Sequence, residues 1–351
     1  MDRLLSMLFP QITNRSSLRE TISCLEALGT RRYHMGIRTE VARSTLAEAN
    51  ERRNYRIFED TALAMIAEAR IEVPLVAELR DFGAKIYALD STTIDLRLKL
   101  FPWAHFRKQK AGIKAHTLLD VRTDVPVFIR ITHSKTHDLH ALGQIQPQSL
   151  AYCVMDKSYT DFTRLYRLYT AGAFFVTRAK ANMDFRVRER CEVNAEVGVR
   201  SDRLIRLRGV LTKNKYPDTL RLISYTDPET KLRLKFMTNN LTLDAATIAM
   251  LYSKRWQIEL FFKWVKQHPH IKAFFGTTPN AVRVQLWIAV IACLLVTRLK
   301  HRHGLLQNKN TILQILSVTI LEKTPVIELF LKEVHTSGGT ASYKETSLFD
   351  L

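Results

Sequence analysis

The chain is poor in the residues that staple small folds together. Its four cysteines, Cys24, Cys153, Cys191 and Cys293, show no paired spacing. That excludes a zinc-finger framework and a disulfide scaffold and fits a reducing, cytoplasmic setting. Long apolar runs are lacking too. The longest, Leu286 to Val296, covers 11 residues, short of the roughly 18 that a membrane span needs. It is expected to be a buried helix, with no membrane partner. No secretory signal pattern opens the sequence. Acids are scarce beside bases: 34 Asp+Glu against 53 Lys+Arg give a net charge of +19. The excess is spread along the chain rather than held in a tail, which points to a polyanion partner, most simply nucleic acid.

Glycine and proline are absent from Tyr252-Ser-Lys-Arg-Trp-Gln-Ile-Glu-Leu-Phe-Phe-Lys-Trp-Val-Lys266. Helix formers dominate there, so one long helix is expected from about Thr242. At about 100° per residue, Tyr252, Arg255, Glu259 and Lys266 fall within a stripe roughly 60° wide. Leu251, Ile258, Phe262 and Val265 form a separate stripe for burial. One carboxylate thus lies between an aromatic hydroxyl and two cations. Taken alone, this is also the pattern of a solvated face carrying i,i+4 ion pairs.

Residues 1 to about 75 read as helical. Ser16 to Leu28 is amphipathic and closed by Gly29, and Thr45-Leu-Ala-Glu48 has the form of a capping box. With Arg31, Arg32, Arg38, Arg43, Arg52 and Arg53 around these helices, the segment fits either a small DNA-binding module or a helical bundle with a basic surface. Strands are expected at 85–96, 113–119, 125–132, 151–156 and 174–177, with helices at about 139–145 and 160–171. This is a mixed α/β core. Between about 182 and 237 apolar residues recur at period two, as in Ile205/Leu207 and Leu232/Leu234/Phe236. Arg186, Arg188, Arg206, Arg208, Arg221, Arg233 and Lys235 alternate with them. A half-exposed antiparallel sheet with a cationic outer face follows, suited to phosphate contact. Closing helices are expected at 311–318 and 326–334, and the last dozen residues are expected to be disordered.

Three carboxylates stand out. Asp90 lies on the first core strand, Asp156 ends a continuously apolar strand, and Glu259 lies on the helix after the β insertion. A buried strand that delivers a charged carboxylate needs a partner for it. Where several acids converge, hard oxygen ligands select Mg²⁺ or Mn²⁺ over zinc. Two such ions about 3.5–4 Å apart are suited to phosphodiester cleavage. His133, His137 and His140 crowd one strand-to-helix junction, where helix-end packing and DNA contact are better readings than a zinc site.

At these residues the sequence resembles the DDE transposases of bacterial insertion sequences. The Tyr–two–Arg–three–Glu–six–Lys spacing at Tyr252, Arg255, Glu259 and Lys266 matches the signature of the "insertion sequence four" family. The resemblance implies a ribonuclease-H-like core interrupted by a β domain. It implies Asp90, Asp156 and Glu259 as catalytic metal ligands for Mg²⁺, with Mn²⁺ able to substitute. Tyr252, Arg255, Lys266, Lys157, Tyr159 and Arg178 are the expected DNA-binding residues. The expected partners are double-stranded DNA, as element ends and target, and a second copy of the chain in a homodimer on the DNA. The expected activity is cleavage at terminal inverted repeats followed by attack of the freed 3′-hydroxyl on target DNA. The expected location is the cytoplasm, at the nucleoid when bound. A binding-only decayed relative and a ribonuclease-H-like nuclease without strand transfer are the alternatives. Relatives often carry Gly where Ser158 stands, so a positive φ there would be strained.

The expected organisation is a helical N-terminal DNA-binding segment over 1–80, then the first part of the catalytic core over 81–181. A basic β-rich insertion over 182–240 and the rest of the core with the Glu helix over 241–305 follow. C-terminal helices and a tail occupy 306–351.

Overall fold

The structure is a computed structural model and describes residues 2–80, 82–107, 110–267, 274–322 and 324–331. The tail read as disordered lies outside the described residues. Helices α1 (Asp2–Ile12), α2 (Leu18–Ala27), α3 (Arg43–Arg52) and α4 (Arg56–Glu72) come first. Strands β1 (Ile86–Leu96), β2 (His105–Arg107), β3 (Lys110–Asp120) and β4 (Val125–His133) follow. Next are α5 (Asp138–Gln144), β5 (Tyr152–Met155), α6 (Phe162–Thr170) and β6 (Phe174–Arg178). Then come β7 (Phe185–Cys191), β8 (Val199–Leu207), α7 (Val210–Lys215), β9 (Leu220–Thr226) and β10 (Arg233–Thr238). Helices α8 (Ala245–Ser253), α9 (Trp256–Gln267), α10 (Pro279–Arg302), α11 (Lys309–Thr319) and α12 (Val326–Leu331) close the chain.

The described residues fall into two compact units. One takes the chain up to Pro74, Thr93–Lys114 and the part from Phe261 onward; the other takes Leu75–Thr92 and Ala115–Leu260. The first is built around α10, against which α1, α3, α4 and α11 pack. Helix α10 is long and apolar enough by composition to cross a membrane, yet 78% of that window is buried. Its apolar character serves a core. The N-terminal helices therefore form a bundle around α10, with Arg31, Arg38, Arg43, Arg52 and Arg53 exposed. The capping box does not form: α3 already starts at Arg43 after Ala42, which gives no side-chain cap.

The second unit is organised by a sheet with strand order β3-β1-β5-β6-β10-β9-β8-β7, with β4 beside β3. Its first five strands in space, β4-β3-β1-β5-β6, have the ribonuclease-H-like order, with β1, β5 and β6 parallel. All four residues of β5 are buried, as expected for a strand covered on both faces. On one face Leu142, Leu165 and Leu168 pack with Tyr87, Cys153 and Phe175, and α8 lies against β5, β6 and β8. The β insertion is a continuation of this same sheet, because β10 pairs antiparallel with β6.

Two expectations change here. Arg221 is not on a cationic outer face. It is buried and held by Asp202, with its Nε and Nη2 donating over 2.9 and 2.6 Å, because β9 is covered on both sides. Nor does one helix run from 242 to 266. It breaks at Lys254–Arg255, where the amides of Arg255, Gln257 and Ile258 each donate to the carbonyl three residues back. The Ser253 hydroxyl also donates to the Met250 carbonyl, a local bond that competes with helix propagation. The apolar stripe survives, with Leu251, Ile258, Phe262 and Val265 all buried. Of the polar stripe, Tyr252, Arg255 and Glu259 stay together through Arg255, while Lys266 belongs to the other compact unit.

Candidate active site

Strand register brings the two aspartates together. In the parallel pair β1–β5, Leu89 stands opposite Met155, so Asp90 and Asp156 are the next residues of neighbouring strands, whose spacing is about 4.8 Å. In β5–β6, Met155 stands opposite Thr177, so Arg178 takes the next place in the same row. The carboxyl ends of parallel strands are where α/β sheets present their chemistry. Asp156 caps the short 3-10 turn Lys157–Tyr159, accepting from the Ser158 amide over 3.3 Å. Ser158 does not have positive φ, so serine is accommodated there without strain.

Glu259 arrives from α9 and meets the row through Arg255. The Arg255 guanidinium reaches Asp90 Oδ2 over 3.1 Å and Glu259 Oε1 over 2.5 Å. Burial is the main force on Asp90 and raises its pKa to about 6. The Ser91 amide and Arg255 oppose the rise, while Glu259 and Asp156 add to it. The three carboxylates are thus electrostatically coupled, with one guanidinium bridging two of them. All donors are hard oxygens, a set suited to a divalent ion such as Mg²⁺, and the negative charge exceeds what Arg255 neutralises. Among the described residues no three His, Cys, Asp or Glu side chains are already closed into a metal-binding group.

Several expected site residues have other surroundings. Tyr252 is buried, its ring 4.8 Å from that of Phe236 and 5.8 Å from the Arg255 guanidinium; burial raises the pKa of its hydroxyl, which feels Arg255, Asp156 and Arg178. Tyr159 is fully buried in the core, so it is not a surface contact for DNA. Its hydroxyl faces Ser91, and burial pushes its pKa well up. Lys157 is exposed beside Asp156. Lys266 belongs to the other compact unit, where burial lowers its pKa and Asp95 opposes that shift. Arg178 lines a groove of about 690 Å³ with Arg200, Lys231, Arg233, Lys235 and Tyr225. His133 and His137 act as turn and helix caps, accepting from the amides of Lys135 and Leu139.

One layer of the site had no sequence signal. Ser91 donates to Asp138 over 2.6 Å, His116 Nδ1 lies 3.7 Å from the same carboxylate, and His116 Nε2 is 2.9 Å from the Thr132 hydroxyl. This partly buried chain, with His116 at its buried end, anchors the residue after Asp90. Its members come from β1, α5, β3 and β4, so no spacing rule connects them.

Comparison with known proteins agrees with this architecture. Residues 81–295 match the family model described as the transposase DDE domain, and residues 1–38 match a domain of unknown function. A Sinorhizobium fredii protein named as a transposase is 34% identical over 253 residues, covering 70% of this chain and 68% of the relative. A Geobacillus stearothermophilus protein, named as a transposase for an insertion sequence element, is 29% identical over 218 residues, 61% of this chain and 56% of its own length. A Synechocystis protein, also named as a transposase for an insertion sequence element, is 24% identical over 259 residues, 72% of this chain and 70% of its own. A catalytic-domain match across more than half the chain, joined to the first relative's similarity, makes this protein a member of the DDE transposase family.

Proposed function

We propose that the protein cuts DNA at the terminal inverted repeats of its insertion sequence and joins the 3′-hydroxyl ends to target DNA. The observation that carries this reading is the electrostatic coupling of Asp90, Asp156 and Glu259, delivered by two neighbouring strands and a helix. In this reading the three carboxylates hold Mg²⁺, with Mn²⁺ as a substitute. The metal supplies charge neutralisation at the phosphodiester and a more acidic bound water or hydroxyl. Arg255 holds Asp90 and Glu259 in place and offsets negative charge beside the scissile phosphate. Lys157 and Arg178 flank Asp156 and take neighbouring phosphates, with the groove beyond Arg178 continuing the path. Two copies of the chain pair the two element ends.

The test is Mg²⁺- and Mn²⁺-dependent nicking of a labelled duplex carrying the DNA that flanks the gene. Wild type is run beside Asp156→Asn and Glu259→Gln, followed by strand transfer with pre-cut ends. Nicking at a fixed position by wild type alone, with binding retained by both variants, is the expected result. Full cutting by either variant would remove that residue from the metal site. Binding without cutting by wild type would leave a DNA-binding protein, and cutting without joining a nuclease.

A further inference from the structure

The sheet extension carries a second cationic site at its far edge. Strand β7 ends the sheet and pairs with β8, and in that ladder Arg186 stands directly opposite Arg206. Like charges directly opposite each other destabilise a strand pair. Arg208 and Lys213, from the end of β8 and from α7, line the same cavity of about 520 Å³ as Arg186 and Arg206; Leu207 and Pro217 complete it, with no acid among its lining residues. The nearest relief is slight: Arg208 lies 3.8 Å from exposed Asp184, and Arg206 donates over 3.5 Å to Thr219.

Charge on an edge strand by itself guards against edge-to-edge pairing. That role asks for cations on β7. It gives no reason to set Arg206, Arg208 and Lys213 from the elements behind it around the same hollow. A bound polyanion would turn this repulsion into attraction. The segment 182–240 holds thirteen Lys and Arg against eight Asp and Glu, which suits a run of phosphates better than one small anion. Strand β7 is four places from β6 in the sheet, or roughly 20 Å at 4.8 Å per strand. That is about six base pairs of duplex at 3.4 Å each.

We infer that Arg186, Arg206, Arg208 and Lys213 grip the phosphodiester backbone of duplex DNA several base pairs from the cut site, holding the duplex independently of the carboxylates. This rests on the reading that the protein handles DNA. The experiment compares full-length wild type with Arg186→Gln/Arg206→Gln on a 30-base-pair duplex, by fluorescence anisotropy over a range of salt. Inorganic phosphate alone is tested in parallel by thermal shift. The expected result is a salt slope shallower by roughly 1–2, at about 0.9 for each phosphate no longer neutralised, with about tenfold weaker binding at 100 mM salt. Because the substitutions remove repulsion, the melting temperature of the free variant should not fall. An unchanged slope would overturn the inference while leaving the transposase reading standing. Stabilisation of wild type but not the variant by phosphate, with the DNA slope unchanged, would make this a small-anion site instead. Failure of wild type to bind duplex at any salt would overturn both readings.

Discussion

Replacing Asp90 with asparagine should make the metal-free protein more stable while abolishing cutting. In the folded protein the Asp90 carboxyl is raised from 3.8 to about 6, and its side chain is only 21% exposed. A rise of that size disfavours the ionised form by about 3 kcal/mol. Because the folded pKa is the higher one, the folded state binds the proton more tightly. The penalty is therefore absent well below pH 4 and complete above pH 6. Asparagine keeps an oxygen for the Ser91 amide, which donates to Asp90 over 2.7 Å, and leaves Arg255 its bond to Glu259. Urea unfolding in EDTA should show Asp90→Asn more stable than wild type by about 3 kcal/mol at pH 8 and only about 1 kcal/mol at pH 4.5. A variant less stable than wild type at pH 8, or a difference independent of pH, would refute the electrostatic account of the site.

Two further substitutions probe the sheet extension. Arg221→Ala leaves buried Asp202 without its bidentate partner and should cost about 3–5 kcal/mol by urea unfolding. Arg221→Met with Asp202→Leu should recover most of that loss. Gly198→Ala should cost about 2 kcal/mol, because Gly198 has φ +86 and an added Cβ would sit 2.4 Å from the Thr226 carbonyl oxygen. A melting temperature unchanged by this substitution would contradict the turn geometry.

The order of strands and helices in the core could be read from local pattern, because burial on one or both faces writes itself into periodicity. Continuous apolarity marked β5, alternation marked β8 and β10, and the run at 286–296 marked the centre of α10. Asp90, Asp156 and Glu259 drew notice through Asp90's place on the first core strand, Asp156's place at the end of an apolar strand and the spacing around Glu259. The same periodicity misplaced Lys266 and Arg221, and the resemblance alone had put Tyr159 at the surface, where the fold buries it. A helical wheel assumes an unbroken helix, and alternation assumes that one face of a strand is wet. The break at Lys254–Arg255 and the double cover over β9 violate those assumptions.

By itself the sequence determined most element types, the net positive charge and the choice of three candidate carboxylates, since these follow from side-chain chemistry and short-range repetition. Tertiary structure alone decided that parallel register sets Asp90 beside Asp156, that Arg255 bridges Asp90 and Glu259, and that Ser91, Asp138 and His116 stand behind them. It also decided that Arg186 faces Arg206 across a ladder. Those contacts join residues up to 165 positions apart, and their energies come from desolvation and Coulomb interaction at short range, which exist only once the chain has folded.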